Sequence, residues 1–208
     1  MTLVLHDNPT SSNALKVRFM LAVLGLEYER REVPLARPRP DDYVELNPVA
    51  GVPTLVDGDF VLAESHAILR YLAQREGRDD LYPLELHARS RVDEFLDRWH
   101  TALRPAFFRH EIPALGWTMK GGLASAPPDP DQAAAAEQKI QRDLAVFEQI
   151  AGATHVVLDR FTIADVAAAP ILFRTTRTGL SLVDYPKLTA LRDTLLSHPA
   201  WPAADPVT

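Results

Sequence analysis

No cysteine occurs among the 208 residues. The chain can therefore form no disulfide, and any thiol chemistry it performs must use a thiol brought by a ligand. Long apolar runs are missing too: none approaches the roughly 18 residues of a membrane helix, so no membrane partner is expected. The first residues, Met1-Thr-Leu-Val-Leu-His-Asp-Asn8, lack the basic start and apolar stretch of a signal peptide, and a cytoplasmic location is the expectation. Positive charge is in the minority, with 22 Lys and Arg against 28 Asp and Glu and a net charge of -6. The basic residues are scattered, which excludes nucleic acid as the main partner. The seven histidines show no paired ligand spacing, Asp97 and His100 forming one lone i,i+3 pair, so no metal is expected. What remains is 47% hydrophobic and 24% charged, an ordinary soluble chain long enough for one large domain or two small ones.

The pattern changes along the chain. Leu3-Val-Leu5 reads as a short buried strand ended by Asp7-Asn8-Pro9. Ser11-Ser12-Asn13 favours a helix N-cap, and Leu15, Val17, Phe19, Met20, Leu21 and Leu24 give an apolar helical run halted at Gly25. Residues 27–33 look like a second strand, followed by a proline-broken loop over 36–42 and a short helix at 41–46. Residues 54–62 read as a hairpin turning at Asp57-Gly58. Glu64-Ser65 opens another helix, with Ile68, Leu69 and Leu72 on one face. The predicted order is β-α-β-α-β-β-α over residues 1–76, a small α/β domain with a mixed sheet. After a linker at 77–86 the strand signals stop, and 87–208 is predicted to be all-α. Its first helix is expected to run unbroken over 86–110, with Val92, Phe95, Leu96, Trp99 and Leu103 spaced at three and four. Thr162-Ile-Ala-Asp165 reads as a structural helix cap, with Asp165 half-buried and accepting N–H bonds from residues near 162.

Four segments carry a resemblance. They are Pro9-Thr-Ser-Ser-Asn13 with Lys16-Val-Arg18 and Leu24-Gly-Leu-Glu-Tyr28; Leu46-Asn-Pro-Val-Ala-Gly-Val-Pro-Thr-Leu55; Leu62-Ala-Glu-Ser-His-Ala-Ile-Leu-Arg-Tyr-Leu72; and Phe161-Thr-Ile-Ala-Asp-Val166. In this order, over nearly the whole chain, they resemble the cytosolic glutathione transferases, most of all the serine-type, theta- and zeta-like bacterial members. The resemblance implies a thioredoxin-like N-terminal domain that binds glutathione as co-substrate, an all-α C-terminal domain that contributes the electrophile site, and a homodimer. The implied reaction sends the glutathione thiolate to an electrophilic carbon of a small, largely apolar substrate, by substitution or addition. Ser11-Ser12 is similar to the serine pair of zeta-like isomerases, but Asn13 stands where that class has cysteine. The alternative is a non-catalytic binding or assembly module on the same fold, or a carrier for apolar ligands.

The resemblance also assigns roles. Val52-Pro53 looks like the family's cis-proline turn, in which the Val52 main chain pairs with the cysteinyl unit as an added strand would. Ser65, at a helix N-terminus, would take the γ-glutamyl carboxylate, and Glu64 the ammonium; as residues alone, both could be plain helix caps. Ser11, six residues before Val17, would hold the thiolate, with Ser12 and then Asn13 as competitors. Val49-Ala50-Gly51 lacks the side-chain donor that family members often offer the glycyl carboxylate. Arg37 and Arg39, in the preceding loop, are the candidates to replace it. The electrophile pocket would draw on Asn8, Pro9 and Thr10, and on Leu103, Phe107, Phe108 and His110, with Trp117 nearby.

Overall fold

The computed structural model describes residues 2–36, 38–114 and 130–204. Contacts divide the chain into two compact units: everything up to Asp79 joined by the chain from His198 on, and Asp80–Ser197.

The first unit is a four-stranded sheet in the order β2-β1-β3-β4. Strand β1 (Leu3–Asp7) runs parallel to β2 (Tyr28–Glu32) and antiparallel to β3 (Thr54–Asp57), and β3 is antiparallel to β4 (Phe60–Ala63). Between them lie α1 (Ser12–Leu24) and α2 (Asp41–Leu46), and α3 (Ser65–Arg75) follows β4. This is the βαβαββα order of a thioredoxin-like domain. Alternation drives β1, where Leu3, Leu5 and Asp7 are buried and Val4 and His6 half-buried. Helix α1 ends where Gly25 takes φ 65° and the Leu26 N–H closes onto the Leu21 carbonyl at 3.0 Å. The core joins Leu3 and Leu5 to Leu15, Val17, Met20, Leu55, Ile68 and Leu72, none more than 3% exposed.

The domain limits differ from the sequence reading at the C-terminus. A short helix, α9 (Trp201–Ala204), packs on α1, with the Trp201 ring 5.1 Å from Phe19 and edge-on to it. Arg18 Nε donates to the Ala204 carbonyl at 2.8 Å. A single helical turn between Pro199 and Pro206 has no periodicity to read, so only tertiary burial reveals its partner.

The second unit is helical: α4 (Leu86–Arg98), α5 (Arg104–Ala114), α6 (Pro130–Ile150), α7 (Ile163–Thr178) and α8 (Pro186–Leu196). The expected unbroken helix over 86–110 is instead interrupted by a π-helical turn at Trp99–Leu103. Pro105 supplies the reason. It has no N–H to offer, and its ring would meet the carbonyl four residues back in a regular helix. The widened turn is closed by the Arg104 N–H on the Trp99 carbonyl. Thr101 Oγ1 donates to the Asp97 carbonyl at 2.8 Å, and Lys139 Nζ to the Ala102 carbonyl at 3.1 Å. Trp99 anchors the unit, stacked on Phe95 at 5.2 Å and edge-on to Phe147 at 4.6 Å.

Candidate functional site

Strand register brings the sequence-predicted residues to one edge of the sheet. His6 of β1 lies opposite Thr54 of β3, and Thr54 lies opposite Ala63 of β4. The chain just beyond this row is Asp7 to Ser11 on one strand, Val52-Pro53 on the next and Glu64-Ser65 on the third. Because β2 is parallel to β1 and ends opposite Asp7, the loop bearing Arg39 starts at the same edge.

The loop between β1 and α1 is held by Asn8. Its Nδ2 donates to the Val33 carbonyl at 2.9 Å, and its Oδ1 accepts from the Thr10 N–H at 3.0 Å and the Thr10 hydroxyl at 2.7 Å. Asn8 thus braces the loop. Ser11 is the N-cap of α1, its Oγ accepting the Ala14 N–H at 3.2 Å. That leaves its proton for another acceptor. Ser12 is 1% exposed and its hydroxyl is enclosed without a hydrogen-bond partner. Asn13 Oδ1 accepts from Lys16 Nζ at 3.1 Å. Geometry thus separates three residues that the sequence left in competition.

The Val52-Pro53 bond is cis. The loop before it is fastened by residues that sequence reasoning missed. Asn47 Nδ2 donates to the Gly51 carbonyl and to Thr54 Oγ1, both at 3.0 Å. The Tyr43 hydroxyl bonds the same two groups. Arg39 Nε donates to the Ala50 carbonyl at 3.1 Å, and its Nη1 donates to the Pro34 and Ala36 carbonyls. Arg39 is therefore a loop fastener, 7% exposed, instead of the open carboxylate receptor proposed from sequence. Arg37 lies outside the described residues.

Glu64 takes φ 68° and ψ 112° at the N-cap of α3, with no side-chain capping bond. A non-glycine residue at such a φ costs on the order of 1–3 kcal/mol. The plain capping role is thereby ruled out: the carboxylate leaves the first-turn N–H groups of α3 open. Ser65, 4% exposed, is the first residue of that helix.

Beneath this edge lie buried charges. Asp7, 0% exposed, accepts both carboxylate bonds from Arg18 Nη1, at 2.7 and 2.8 Å, and one from Arg30 Nε at 2.5 Å. Lys16 is also 0% exposed, and its ammonium lies 3.1 Å from His66 Nε2. In sequence, Lys16 and Arg18 are simply polar positions in an apolar helical run. Their burial as cations follows from acceptors both near, Asn13 and Asp7, and far along the chain, His66 and the Ala204 carbonyl.

The second unit treats the proposed electrophile residues differently. Leu103 and Phe107 are 0% and 1% exposed. They are core side chains, which accounts for their helical spacing. His110 Nε2 lies 3.3 Å from the Thr178 carbonyl, and Phe108 carries the Arg104 guanidinium 4.6 Å above its ring. Glu111, 1% exposed, sits between Arg104 at 3.8 Å and Arg174 at 3.4 Å, and burial pushes its carboxyl up. Trp117 is outside the described residues. At the start of α7, Thr162 and Asp165 form a reciprocal cap, the Thr162 N–H reaching Asp165 Oδ2 at 2.8 Å and Val156 N–H reaching Oδ1 at 2.9 Å. Asp165 is fully buried rather than half-buried. Among the described residues, no group of three or more His, Cys, Asp or Glu is arranged to hold a metal, and no helix is long and apolar enough to cross a membrane.

Residues 1–74 match the family model for the glutathione S-transferase N-terminal domain, and 95–199 match that for its C-terminal domain. A glutathione S-transferase theta-3 of Mus musculus is 32% identical over 174 residues, covering 81% of this chain and 71% of its own. A stringent starvation protein A homolog of Coxiella burnetii is 30% identical over 179 residues, covering 86% of this chain and 78% of its own. Among solved structures, a glutathione transferase homolog from Lodderomyces elongisporus, with two GSH per subunit, superimposes with a TM-score of 0.86 at 26% identity, covering 99% of this chain and 98% of that one.

Proposed function

The chain belongs to the glutathione S-transferase family, and we propose that it binds glutathione along the edge formed by Ser11, Val52, Pro53, Glu64 and Ser65 and directs the thiolate at an electrophilic carbon. The observation that carries this reading is the register row His6–Thr54–Ala63, from which all five residues follow within a few positions. The open N–H groups and dipole of α3 suit the γ-glutamyl carboxylate, with the Ser65 hydroxyl as a further donor. Glu64, free of any capping bond, meets the ligand's ammonium. The Val52 main chain pairs with the cysteinyl unit in the manner of an added strand.

Ser11 is the catalytic residue of this reading. Its oxygen already accepts the Ala14 N–H, which turns the hydroxyl proton outward to donate to the sulfur. The α1 dipole acts in the same direction, and both lower the thiol pKa. Each unit of that lowering corresponds to about 1.4 kcal/mol in favour of the thiolate. Since the thiolate is the nucleophile, substitution or addition at a small, largely apolar electrophile follows. With Arg39 committed to main-chain carbonyls, the glycyl end is left to Arg37 and to main-chain groups. A cytoplasmic homodimer completes the proposal.

Calorimetry with glutathione tests the binding, and conjugation of a generic aryl halide tests the chemistry. The wild type should bind glutathione and turn over, and Ser11→Ala should lose about 100-fold in rate, the order expected for one donor to a developing anion. Ser12→Ala should keep its rate. A reversal of those two results would reassign the catalytic hydroxyl. The likeness to a protein not named as a transferase, a stringent starvation protein A homolog, keeps open a second reading, a non-catalytic binding module. That reading predicts no heat of glutathione binding and no turnover by the wild type.

A further inference from the structure

Two helix N-termini meet the proposed ligand, and one buried cation lies between them. Lys16 belongs to the first turns of α1, and its residue exposure is 0%. Its ammonium sits 3.1 Å from Asn13 Oδ1, two residues after Ser11 on α1. It also sits 3.1 Å from His66 Nε2, on the residue that follows Ser65 on α3. An ammonium has only protons to give, so the ring nitrogen facing it must be the acceptor. This fixes His66 as the tautomer that carries its proton on Nδ1. Burying an ammonium is costly unless hydrogen bonds compensate it. A methionine or leucine would fill the same space without that cost, so packing does not explain the residue. The mechanism described above, built on Ser11, Glu64 and Ser65, makes no use of it.

We propose that Lys16 is a positioning residue: its ammonium, clasped by Asn13 on α1 and His66 on α3, holds the two helix N-termini in mutual register and adds a fixed positive charge behind the glutathione thiolate and γ-glutamyl carboxylate. The inference rests on the glutathione-binding reading given above. Both ligand anions lie at N-terminal ends of helices, where the partial positive charge of the open N–H groups already favours them. A full charge under the same two first turns acts with the same sign. In a buried setting it is screened less than a surface charge would be. Arginine at this position keeps the charge, whereas methionine keeps the length and loses the charge.

The test compares Lys16→Met, Lys16→Arg and His66→Gln with the wild type, each first checked for a cooperative melt. Two readouts are used: the pH dependence of kcat/KM with an aryl halide, and the ultraviolet absorbance of the thiolate in the glutathione complex. Lys16→Met should move the acidic limb of the profile and the thiolate titration up by about one unit, tenfold less thiolate below that limb. Lys16→Arg should restore most of the shift, and His66→Gln, which keeps an acceptor, should stay close to the wild type. In ¹⁵N spectra of the wild type, His66 should show a protonated Nδ1 and an unprotonated Nε2. A folded Lys16→Met with a wild-type profile and thiolate titration overturns the proposal. If Lys16→Met does not fold, Lys16→Gln, which also removes the charge, carries the same expectation and the same power to overturn. Glutathione binding by the wild type with no effect of either variant sinks the role of Lys16 alone. No glutathione binding by the wild type sinks the functional reading with it.

Discussion

Glu64 joins the two sides of the candidate site in one residue. Its side chain makes no capping bond, and its backbone sits at φ 68°, a conformation that only glycine adopts without cost. Glu64→Gly should therefore raise stability by about 1 kcal/mol while weakening glutathione binding at least tenfold. Urea unfolding and calorimetry on the same variant read the two effects separately. A gain in stability with no loss of binding would remove Glu64 from the site. Its identity as a candidate was legible in the sequence, because the motif around it is local. Its strain was not, because the φ belongs to the one-residue turn from β4 into α3, and no glycine marks that turn in the sequence. The same division holds for Arg39. A loop arginine reads as an anion receptor until the carbonyls of Pro34, Ala36 and Ala50 are seen around its guanidinium. In sequence Ser11 led the adjacent Ser12 only by its spacing from Val17; in the structure Ser11 caps α1 and Ser12 is enclosed as the helix's first residue.

At the level of elements, the four strands and first three helices were readable because each is bounded by a local signal: Asp7-Asn8-Pro9, Gly25, Asp57-Gly58. The π-turn was not readable, since Trp99 and Leu103 keep their apolar spacing while Pro105 changes the hydrogen bonding beneath them. The cap of α7 was read from Thr162 and Asp165, but not its full burial, which depends on Val156 returning over it. That burial has a pH consequence. Loss of hydration pushes the Asp165 carboxyl up to about 6, against the N–H bonds from Val156 and Thr162 and the nearby His155, which favour the ion. The folded chain thus holds this proton more tightly than the unfolded chain, whose carboxyl keeps the ordinary value of 3.8. The contribution is complete below the unfolded value and is lost as pH rises through about 6, a difference of roughly 3 kcal/mol. Measured by urea unfolding, the stability of wild type relative to Asp165→Asn should fall by about 2 kcal/mol between pH 4 and pH 7, most of that difference. A difference that is flat with pH, or that rises, would show that the hydrogen bonds outweigh burial.

For the molecule as a whole, composition and the change of period near Gly77 were enough to separate an α/β part from an all-α part. They did not show that the chain returns to the first part at His198. Trp201 against Phe19 and the Ala204 carbonyl on Arg18 Nε form that return. Trp201→Ala should cost about 3–5 kcal/mol, the usual loss for a buried aromatic. Removing the chain from His198 onward should cost more, because it also takes a partner from a buried guanidinium. Equilibrium unfolding followed by far-ultraviolet dichroism reads both, and a truncated chain as stable as the intact one would show the return to be ornamental. The connectivity also limits how the protein can be divided or recombined. One cut near residue 80 does not release a self-sufficient sheet domain, because the piece that shelters Phe19 departs with the other fragment. For the same reason, a chimaera made by a single crossover between relatives inherits its sheet from one parent and that sheet's cover from the other. A substitution at Phe19 or at Trp201 therefore disturbs the same ring contact from opposite ends of the chain.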